Sequence, residues 1–365
     1  MTDNDQRASD TICNGSIFES AARSLDAVRQ AQQGANRLNR LGDQWARASI
    51  EQRAGRMAEE LHAATFNIDA ASKGLAHLRA STGSAIGCPI SAADVIITDA
   101  GRAVDHAQVK YCGSHTRTAF EVASAKYDGM QRIVPSDQTE LVKQLAEKRG
   151  IDQLGKRNYP DVASNSSDRI KLKSVESKPL TTQEATNAAK DPSCTGGELI
   201  KGQMGKAVSK GAVTGAAVGC GISAIQNLTK FSRGEKTGSD ALIDTGKDTV
   251  CCAATGATVS GVAVATESAL LKAGLGGVAK GAAPVAIALT TVDVGKDVFR
   301  LVKGDIDGAE FAKRGAGHVA KGGCTWGGME GGAAIGTMIC PGIGTVVGGI
   351  IGGICGGFAG IKIFG

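Results

Sequence analysis

Three side chains that could bind a metal or act as a nucleophile lie within a short stretch of the chain. Cys112 and His115 are three positions apart, and His106 precedes them. This spacing could supply two zinc ligands or a thiolate–imidazole pair. A structural zinc site needs four ligands, and the sequence offers no second pair at a suitable spacing. We therefore predict no metal site and no catalytic cysteine.

A group of charged residues between positions 157 and 176 could act as an acid–base or phosphate-binding site. Its members are Arg157, Asp161, Asp168, Arg169 and Glu176. The surrounding stretch is poor in apolar residues and rich in Asn, Ser, Asp and Lys, which is typical of a solvated linker. The glycine-rich phosphate-binding patterns that follow a strand are absent. We predict no catalytic residues and no cofactor, and an enzyme with its site between Tyr127 and Glu176 is a less favoured alternative.

Glycines recur every four residues near the carboxyl end, and only Cys340 interrupts the series. They are Gly332, Gly336, Gly344, Gly348, Gly352, Gly356 and Gly360, inside an uncharged stretch from 331 to 361. Four-residue spacing places small residues on one face of a helix, where a second backbone can approach closely. Glycine weakens an exposed helix by about 1 kcal/mol relative to alanine. This glycine zipper therefore indicates a helix packed in a bilayer or buried in a helical pair.

The uncharged tail is too long for a single membrane-spanning helix. Residues 331–361 would measure about 46 Å as one helix, against about 30 Å of hydrocarbon. Pro341 and Gly342 are placed to form a hairpin bend, because proline breaks a helix. The uncharged stretches 211–228 and 250–266 are rich in small polar residues, so we expect only the tail to be convincingly membrane-spanning.

A charged segment recurs 70 positions further along the chain, and we predict that each copy is a tight turn. Gly234 and Gly238 in the first copy correspond to Gly304 and Gly308 in the second. An apolar helix precedes each copy, and an acid near the start of the next helix suits its positive dipole end. Each unit is thus a predicted helical hairpin. With a C-terminal hairpin they would form an antiparallel bundle of about six helices.

The composition predicts an all-α fold with very little strand, since the chain has 51 glycines and only 4% aromatic residues. Residues 1–132 are predicted to form a polar amphipathic helical domain, including a helix through Val104, Ala107 and Tyr111. Residues 133–195 are predicted to be a short helix and a polar linker, with at most a short strand at 170–175. Residues 196–365 would hold the duplicated apolar hairpins and the glycine zipper.

The net charge, the cysteines and the first residues indicate which partners and which cellular location to expect for this protein. The net charge of +5 is spread along the chain, so we expect no nucleic-acid partner, which needs a clustered basic face. None of the ten cysteines forms a Cys-x-x-Cys pair, and we expect them to be reduced. The first residues do not resemble a cleavable export signal. The predicted location is a bacterial inner membrane with a cytoplasmic N-terminal region, or secretion by a signal-independent route.

The tail GTMICPGIGTVVGGIIGGICGGFAG resembles the glycine-zipper hairpins of bacterial and phage membrane proteins, and the membrane-inserting segments of toxin-type effectors. This resemblance implies a non-enzymatic membrane-associated protein that inserts into a lipid bilayer, oligomerises through the zipper and permeabilises the membrane. The alternative is a soluble helical scaffold or adaptor with a buried glycine-rich hairpin. In either case the N-terminal region could bind a protein partner.

The zipper hypothesis predicts the effect of filling the side-chain-free face. Replacing both Gly348 and Gly352 with Leu should abolish close helix packing, because a leucine side chain separates the two backbones. We expect loss of oligomers by cross-linking and loss of dye release from liposomes. Unchanged oligomerisation or leakage in this variant would contradict the hypothesis.

Overall fold

The computed structural model describes the backbone of residues 3–83, 92–150, 156–272, 279, 283–318, 323, 324 and 327, and side chains from Ser16 onward except that of Lys272. The chain forms two compact units. Residues 26–202 make up one, which we call the sheet unit. Residues 1–25 and 203–365 make up the other, which we call the hairpin unit. The prediction of a mainly helical chain is confirmed, whereas the prediction of an all-α fold is wrong.

The sheet unit is built around helix α2, which spans Ile50–Ser72 and is buried along most of its length. Helix α1, which precedes it, spans Asp3–Gln44 and contributes residues to both units. A capping box starts α2: Ser49 accepts a hydrogen bond from the Gln52 N–H, and the Gln52 side chain returns one to the Ser49 N–H. Met57 and Phe66 of α2 are fully buried. Helices α1 and α2 both lie within the stretch that was predicted to be an amphipathic helical domain.

A five-stranded mixed sheet packs against α2. Its strands, in spatial as well as chain order, are β1 Leu78–Thr82, β2 Val95–Asp99, β3 Arg102–Val109, β4 Gln131–Ile133 and β5 Ser166–Ser167. The first three are antiparallel, and β4 and β5 run parallel to β3. Asn67 of α2 pairs with edge strand β1: its amide donates to the Ala80 carbonyl and accepts from the Ala80 N–H, both at 2.8 Å. A side chain thus satisfies backbone groups that an edge strand otherwise leaves open.

The helix predicted through Val104, Ala107 and Tyr111 is instead part of a β-hairpin. Strands β2 and β3 are joined at Ala100 and Gly101, which both have positive φ angles of 48° and 84°. Positive φ at two successive turn residues matches the twist of the flanking strands. β-branched residues in β2 alternate between buried and less buried positions, a period of two that favours a strand over a helix.

Four further α-helices, a short 3-10 helix at Ala125–Tyr127 and a small two-stranded sheet lie in the described part of the sheet unit, which also includes the first residues of the helix that follows α6. The helices are α3 His115–Val122, α4 Thr139–Glu147, α5 Tyr159–Asn165 and α6 Thr182–Lys190. Strands β6 Lys171–Leu172 and β7 Val175–Glu176 form the second sheet, close to the short strand predicted at 170–175. Residues from α3, α4 and α5 make a small separate core, whereas α6 packs on α2 in the main one. The segment predicted as a linker is therefore largely structured.

The compact units divide the chain differently from the predicted domains. The expected boundary at 132/133 falls inside β4, and the one at 195/196 falls inside the helix that follows α6. Strand β4 pairs with β3 on one side and β5 on the other. This strand pairing joins segments on both sides of the predicted boundary at 132/133 into one unit. Amino-acid composition does not reveal such pairing.

Long helices dominate the described part of the hairpin unit. Helix α7 spans Pro192–Ser232, α8 spans Gly238–Lys272, α9 spans Ala283–Lys303, and α10 covers residues 308–318. Helix α8 packs on α9. Near the other end of the chain, Ile17, Phe18 and Leu25 of α1 are fully buried, and the Thr214 hydroxyl of α7 donates to Ser20 Oγ at 2.9 Å.

The two turns that join α7 to α8 and α9 to α10 share one geometry. Gly234 and Gly304 have φ angles of 73° and 78°. Glu235 N–H reaches back to the Lys230 carbonyl, and Asp305 N–H to the Arg300 carbonyl, both at 2.9 Å. This is the Schellman end of a helix, in which a glycine in the left-handed region allows the last carbonyls to be satisfied.

Each following helix is capped at an equivalent position. The Asp240 N–H donates to Thr237 Oγ1, and the Glu310 N–H donates to Asp307 Oδ1. Gly238 and Gly308 are the first residues of α8 and α10. The recurrence in the sequence thus corresponds to the same end-and-restart of a helix in both copies.

Candidate functional site

The buried side of α7 is a line of small residues spaced four apart. Its members are Ala207, Gly211, Gly215, Gly219, Ser223 and Asn227, and all six are buried. A straight helix repeats every 3.6 residues, so a contact line of period four drifts around the helix with a right-handed sense. Such lines of small residues characterise helices whose backbones approach each other closely.

The glycines of this line touch the backbone of α8, and we call this the glycine contact. A Cβ atom added to Gly215 would lie 2.0 Å from the Cys252 carbonyl oxygen, and one added to Gly211 would lie 2.3 Å from the Gly256 carbonyl oxygen. In the opposite direction, a Cβ on Gly256 would lie 2.1 Å from the Gly211 carbonyl oxygen. Real Cβ atoms do not come this close to an oxygen. The observed spacing of the helices therefore requires glycine at these positions.

Nearer the turn, hydrogen bonds between side chains replace the glycine contact. Ser223 Oγ donates to Asp248 Oδ2 at 2.5 Å, and the Asn227 amide donates to Thr245 Oγ1 at 3.0 Å. We call these two bonds the polar contact. Lys236 from the turn donates to Asn227 Oδ1 at 3.1 Å and forms an ion pair with Asp244. Serine and asparagine thus sit buried between the helices with their polar atoms satisfied.

Large apolar side chains lie on the outer surface of the same hairpin. Val213 is 69% exposed, Leu242 77% and Val250 70%, and others that are more than half exposed are Ile225, Leu228 and Ile243. In water, large apolar residues normally face inward and Ser and Asn face outward. These exposed side chains, together with the buried Ser223 and Asn227, have the reverse arrangement, although Val259 and Val264 of α8 are buried. Helices surrounded by lipid have this distribution, with small and polar residues at the helix–helix contact.

Helices α7 and α8 are each long and apolar enough to cross a membrane. The most apolar window of α7 has a mean hydropathy of 1.3, and that of α8 has 1.5. No charged residue occurs from 211 to 229 in α7 or from 249 to 266 in α8. At 1.5 Å per residue these stretches measure about 29 Å and about 27 Å. Both coincide with the stretches 211–228 and 250–266, whose small polar residues make them marginal membrane spans by sequence alone.

The second hairpin repeats the polar contact with charged groups. Asp293 and Asp297 lie 70 positions after Ser223 and Asn227, and His318 lies 70 after Asp248. His318 Nε2 is 2.7 Å from Asp297 Oδ2, and its Nδ1 is 3.9 Å from Asp293 Oδ2. Arg314, 70 positions after Asp244, also lies 3.8 Å from Asp297. The acids of this contact thus lie on the second helix of the first hairpin but on the first helix of the second hairpin.

The structure describes only some of the residues predicted to matter. Gly234, Gly238, Gly304 and Gly308 lie in the two turns and at the first residue of the helices that follow, as described above. The seven zipper glycines and the predicted bend at Pro341 and Gly342 lie outside the described residues. The glycine contact in α7 uses the same four-residue spacing as the tail, and this spacing is visible in the sequence.

The candidate metal and thiol site does not assemble. Across the described ranges, no group of three or more His, Cys, Asp or Glu side chains is arranged to hold a metal ion. His106 is exposed on β3, and Cys112 follows that strand. Burial raises the pKa of the Cys112 thiol, which disfavours the reactive thiolate. The six cysteines whose side chains the structure describes are outside any disulfide bond.

A buried serine–histidine pair has the composition of a catalytic dyad but not its accessibility. His62 Nδ1 lies 2.9 Å from Ser177 Oγ, and His62 Nε2 lies 2.9 Å from the Tyr111 hydroxyl. Tyr111 donates to the Leu180 carbonyl, so His62 Nε2–H donates to Tyr111 and Ser177 donates to Nδ1. Burial lowers the pKa of His62 to about 3. The neutral imidazole therefore joins α2 to the segments around residues 111 and 177, and it has no exposed surface.

The charged group around residues 157–176 forms structural ion pairs. Asp161 binds the fully buried guanidinium of Arg132, which also donates to Asp128 at 2.8 Å. Asp168 and Glu176 both pair with Arg169. Arg132 in addition donates to the Val122 carbonyl. These contacts join β4 to α3 and α5, and breaking one partner of such a buried pair is destabilising.

Glu59 of α2 is a buried acid. Glu59 receives hydrogen bonds from Arg56 at 3.0 and 3.1 Å. Burial raises the pKa of Glu59 to about 8, and the nearby charge of Asp94 acts in the same direction, although Arg56 opposes both. Asp94 accepts from the Val109 N–H at 3.1 Å and from Lys110 at 3.4 Å. These contacts hold the start of β2 against the end of β3.

No protein-family model, curated protein or solved structure matches this chain.

The glycine contact predicts opposite effects of two substitutions in one helix. Gly215→Ala places a methyl group against the Cys252 carbonyl, and we expect a loss of about 1–3 kcal/mol from overpacking. Gly221→Ala is the matched control, because a Cβ there meets nothing within 4 Å. We expect it to stabilise α7 by up to about 1 kcal/mol. Thermal denaturation followed by circular dichroism measures both, and equal effects of the two substitutions would contradict the contact.

The pKa of Glu59 predicts how stability changes with pH. The folded-state pKa lies above the ordinary value of 4.5, so the contribution of Glu59 is complete below that value and is lost as the pH rises through about 8. Glu59→Gln should therefore reduce the fall in unfolding free energy between pH 5 and pH 8 by more than about 1 kcal/mol. Urea denaturation at several pH values provides the measurement.

Glu51→Gln is the control for this prediction. Glu51 lies on the same helix, and hydrogen bonds from its own backbone and from Ser49 hold its pKa below 4.5. It stays ionised across the range tested, so its replacement should leave the pH dependence unchanged. A wild-type pH dependence in the Glu59→Gln variant would mean that this carboxyl is ionised in the folded protein at neutral pH.

Proposed function

We propose that this protein associates with lipid bilayers through the α7–α8 hairpin and acts there without catalysing a reaction. The observation that carries the proposal is the exposure of large apolar side chains on both helices: Val213, Ile225 and Val250 face outward. Exposed aliphatic residues are unfavourable in water and favourable in hydrocarbon.

The hydrophobic effect supplies the driving force for this association. Transfer of a fully exposed Val, Leu or Ile side chain out of water contributes roughly 1.5–3 kcal/mol. Several such residues lie along α7 and α8, and each helix has an uncharged stretch close to the thickness of the hydrocarbon core. Lys206 and Lys210 at one end of the α7 stretch and Lys230 at the other would remain at the water boundary.

The finer parts of the proposal concern what the protein does in the membrane. By resemblance of its tail, we propose that it is a bacterial or phage-encoded protein that oligomerises through the zipper glycines and permeabilises the membrane. An inner-membrane location with a cytoplasmic sheet unit, or export by a signal-independent route, agrees with this proposal. In the soluble alternative, a scaffold or adaptor, the hairpins would be a helical core that never meets lipid.

Liposome flotation combined with dye release tests attachment and permeabilisation together. We expect the wild-type chain to float with liposomes and to resist carbonate extraction. Replacement of Val213, Ile225 and Val250 by Gln should lower the bound fraction at least about tenfold, because each change removes a favourable transfer term. Since these side chains are largely exposed, the soluble fold should persist.

The control removes exposed apolar surface from the sheet unit instead. Val104 and Leu141 are both about half exposed there, and replacing them with Gln should leave flotation unchanged. Failure of the wild-type chain to float would support the soluble scaffold. Equal losses in both variants would show that the hairpin is not the attachment site.

A further inference from the structure

The α7–α8 hairpin has two halves of different character. In the half that contains the glycine contact, neither residues 211–219 of α7 nor residues 252–260 of α8 include a charged side chain. The half near the turn contains the polar contact together with Asp244, Lys247 and Asp248 on α8. Lys247 is exposed and pairs with Asp244 at 3.9 Å. Charged groups therefore lie beside the uncharged part of α7.

The contacts between the helices define which residues are level with each other. Gly219 lies against Cys252, Ser223 against Asp248, and Asn227 against Thr245. In this register Cys220, the centre of the uncharged α7 stretch, is level with Cys251. The centre of the uncharged α8 stretch falls between Ala257 and Thr258, about 10 Å further along the axis at 1.5 Å per residue. The two uncharged stretches are thus offset by nearly two helical turns.

This offset makes it unfavourable for both helices to span a bilayer in the observed register. A hydrocarbon slab centred on the α7 stretch contains Asp244, Lys247 and Asp248, and a slab centred on the α8 stretch contains Lys206 and Lys210. A charged side chain near the centre of a bilayer costs about 2.5–3.5 kcal/mol. Either placement would therefore offset a large part of the gain from burying apolar residues.

We infer that the observed hairpin is the form that exists outside the bilayer, and that insertion requires α7 and α8 to shift along each other by about 10 Å, breaking the polar contact. This inference rests on the proposed membrane association. After the shift each helix centres its own uncharged stretch in the hydrocarbon. Asp244 and Asp248 then lie at the water boundary, and the first residues of α8 join the turn.

The spacing of small residues on both helices permits such a shift. Cys252, Gly256 and Ser260 of α8 are four apart, as are the glycines of α7. Movement by a whole number of four-residue steps again places small residues opposite small residues. A step of eight residues is about 12 Å, which is close to the offset of the uncharged stretches. The helices can therefore exchange one close contact for another of the same kind.

Two native cysteines report the shift directly. Cys220 and Cys251 are both exposed and free, and they are level in the observed register. We would label single-cysteine variants at each position and measure label depth in phosphatidylcholine–phosphatidylglycerol vesicles with lipid-attached quenchers. The expected result is a Cys220 label at the bilayer centre and a Cys251 label about 10 Å closer to the surface. Equal depths would overturn the inference.

Failure of the membrane proposal itself has a different signature, since neither label would then be quenched by any lipid-attached group. The unsubstituted chain gives an independent measurement through alkylation by a membrane-impermeant maleimide, read by peptide mass spectrometry. With vesicles present, we expect Cys251 to react faster than Cys220. Equal protection of both thiols in the bilayer would count against the shift.

A charge-neutral variant tests the cause of the shift. Replacing Asp244 and Asp248 with Asn, and Lys247 with Gln, removes the charges that lie beside the α7 stretch and retains groups able to form the polar contact. The depth difference between the two labels should then fall to near zero, because the observed register can enter hydrocarbon without burying charge. An unchanged difference would show that these charges do not determine the register.

Discussion

The hairpin unit depends on the approach of one backbone to another without side chains between them. At Gly211 and Gly215 the α7 backbone meets carbonyl groups of α8 so closely that no Cβ fits. Contacts of this kind gain van der Waals energy and need no apolar side chains at the interface. Many large aliphatic residues, such as Val213, Ile225 and Val250, consequently face outward, and the buried polar residues Ser223 and Asn227 align with the glycines. One constraint therefore explains both the small inner surface and the apolar outer surface.

The sequence predicted the parts of the fold that repeat and missed those that depend on distant partners. The four-residue spacing of small residues and the 70-residue recurrence are local signals, and the observed turns at Gly234 and Gly304 have the same backbone geometry. Strands β2 and β3 were missed because Val104, Ala107 and Tyr111 also fit a helical period. The alternating β-branched residues of β2 were a local signal for a strand, whereas the pairing of these strands with β1 and β4 has no local signal in the sequence. The zipper glycines of the tail remain a prediction, because they lie outside the described residues.

The candidate chemistry of the sheet unit illustrates the same limit. Asp161 looks like a solvated acid in the sequence, yet it neutralises Arg132, a residue 29 positions away. His62 and Ser177 are 115 positions apart, so their pairing carries no signal in the spacing of residues. In both cases polar groups satisfy each other inside the fold. The sequence shows which side chains are capable of chemistry. Their burial in the fold shows that these particular side chains stabilise the structure.

The turn shared by the two hairpins also bears on how such a chain diversifies. Because the Schellman glycine and the helix cap satisfy the backbone groups locally, the backbone of the turn depends little on the residues that meet further along the helices, whereas the Lys236 side chain does contact Asn227 and Asp244. After a duplication, one copy could retain Ser, Asn and Gly at the helix contact while the other acquired Asp, His and Arg at matching positions. The backbone of the connection is thus common to both copies, whereas its side chains differ: Lys236 contacts polar residues of the first hairpin, and its counterpart Ile306 is buried in the second.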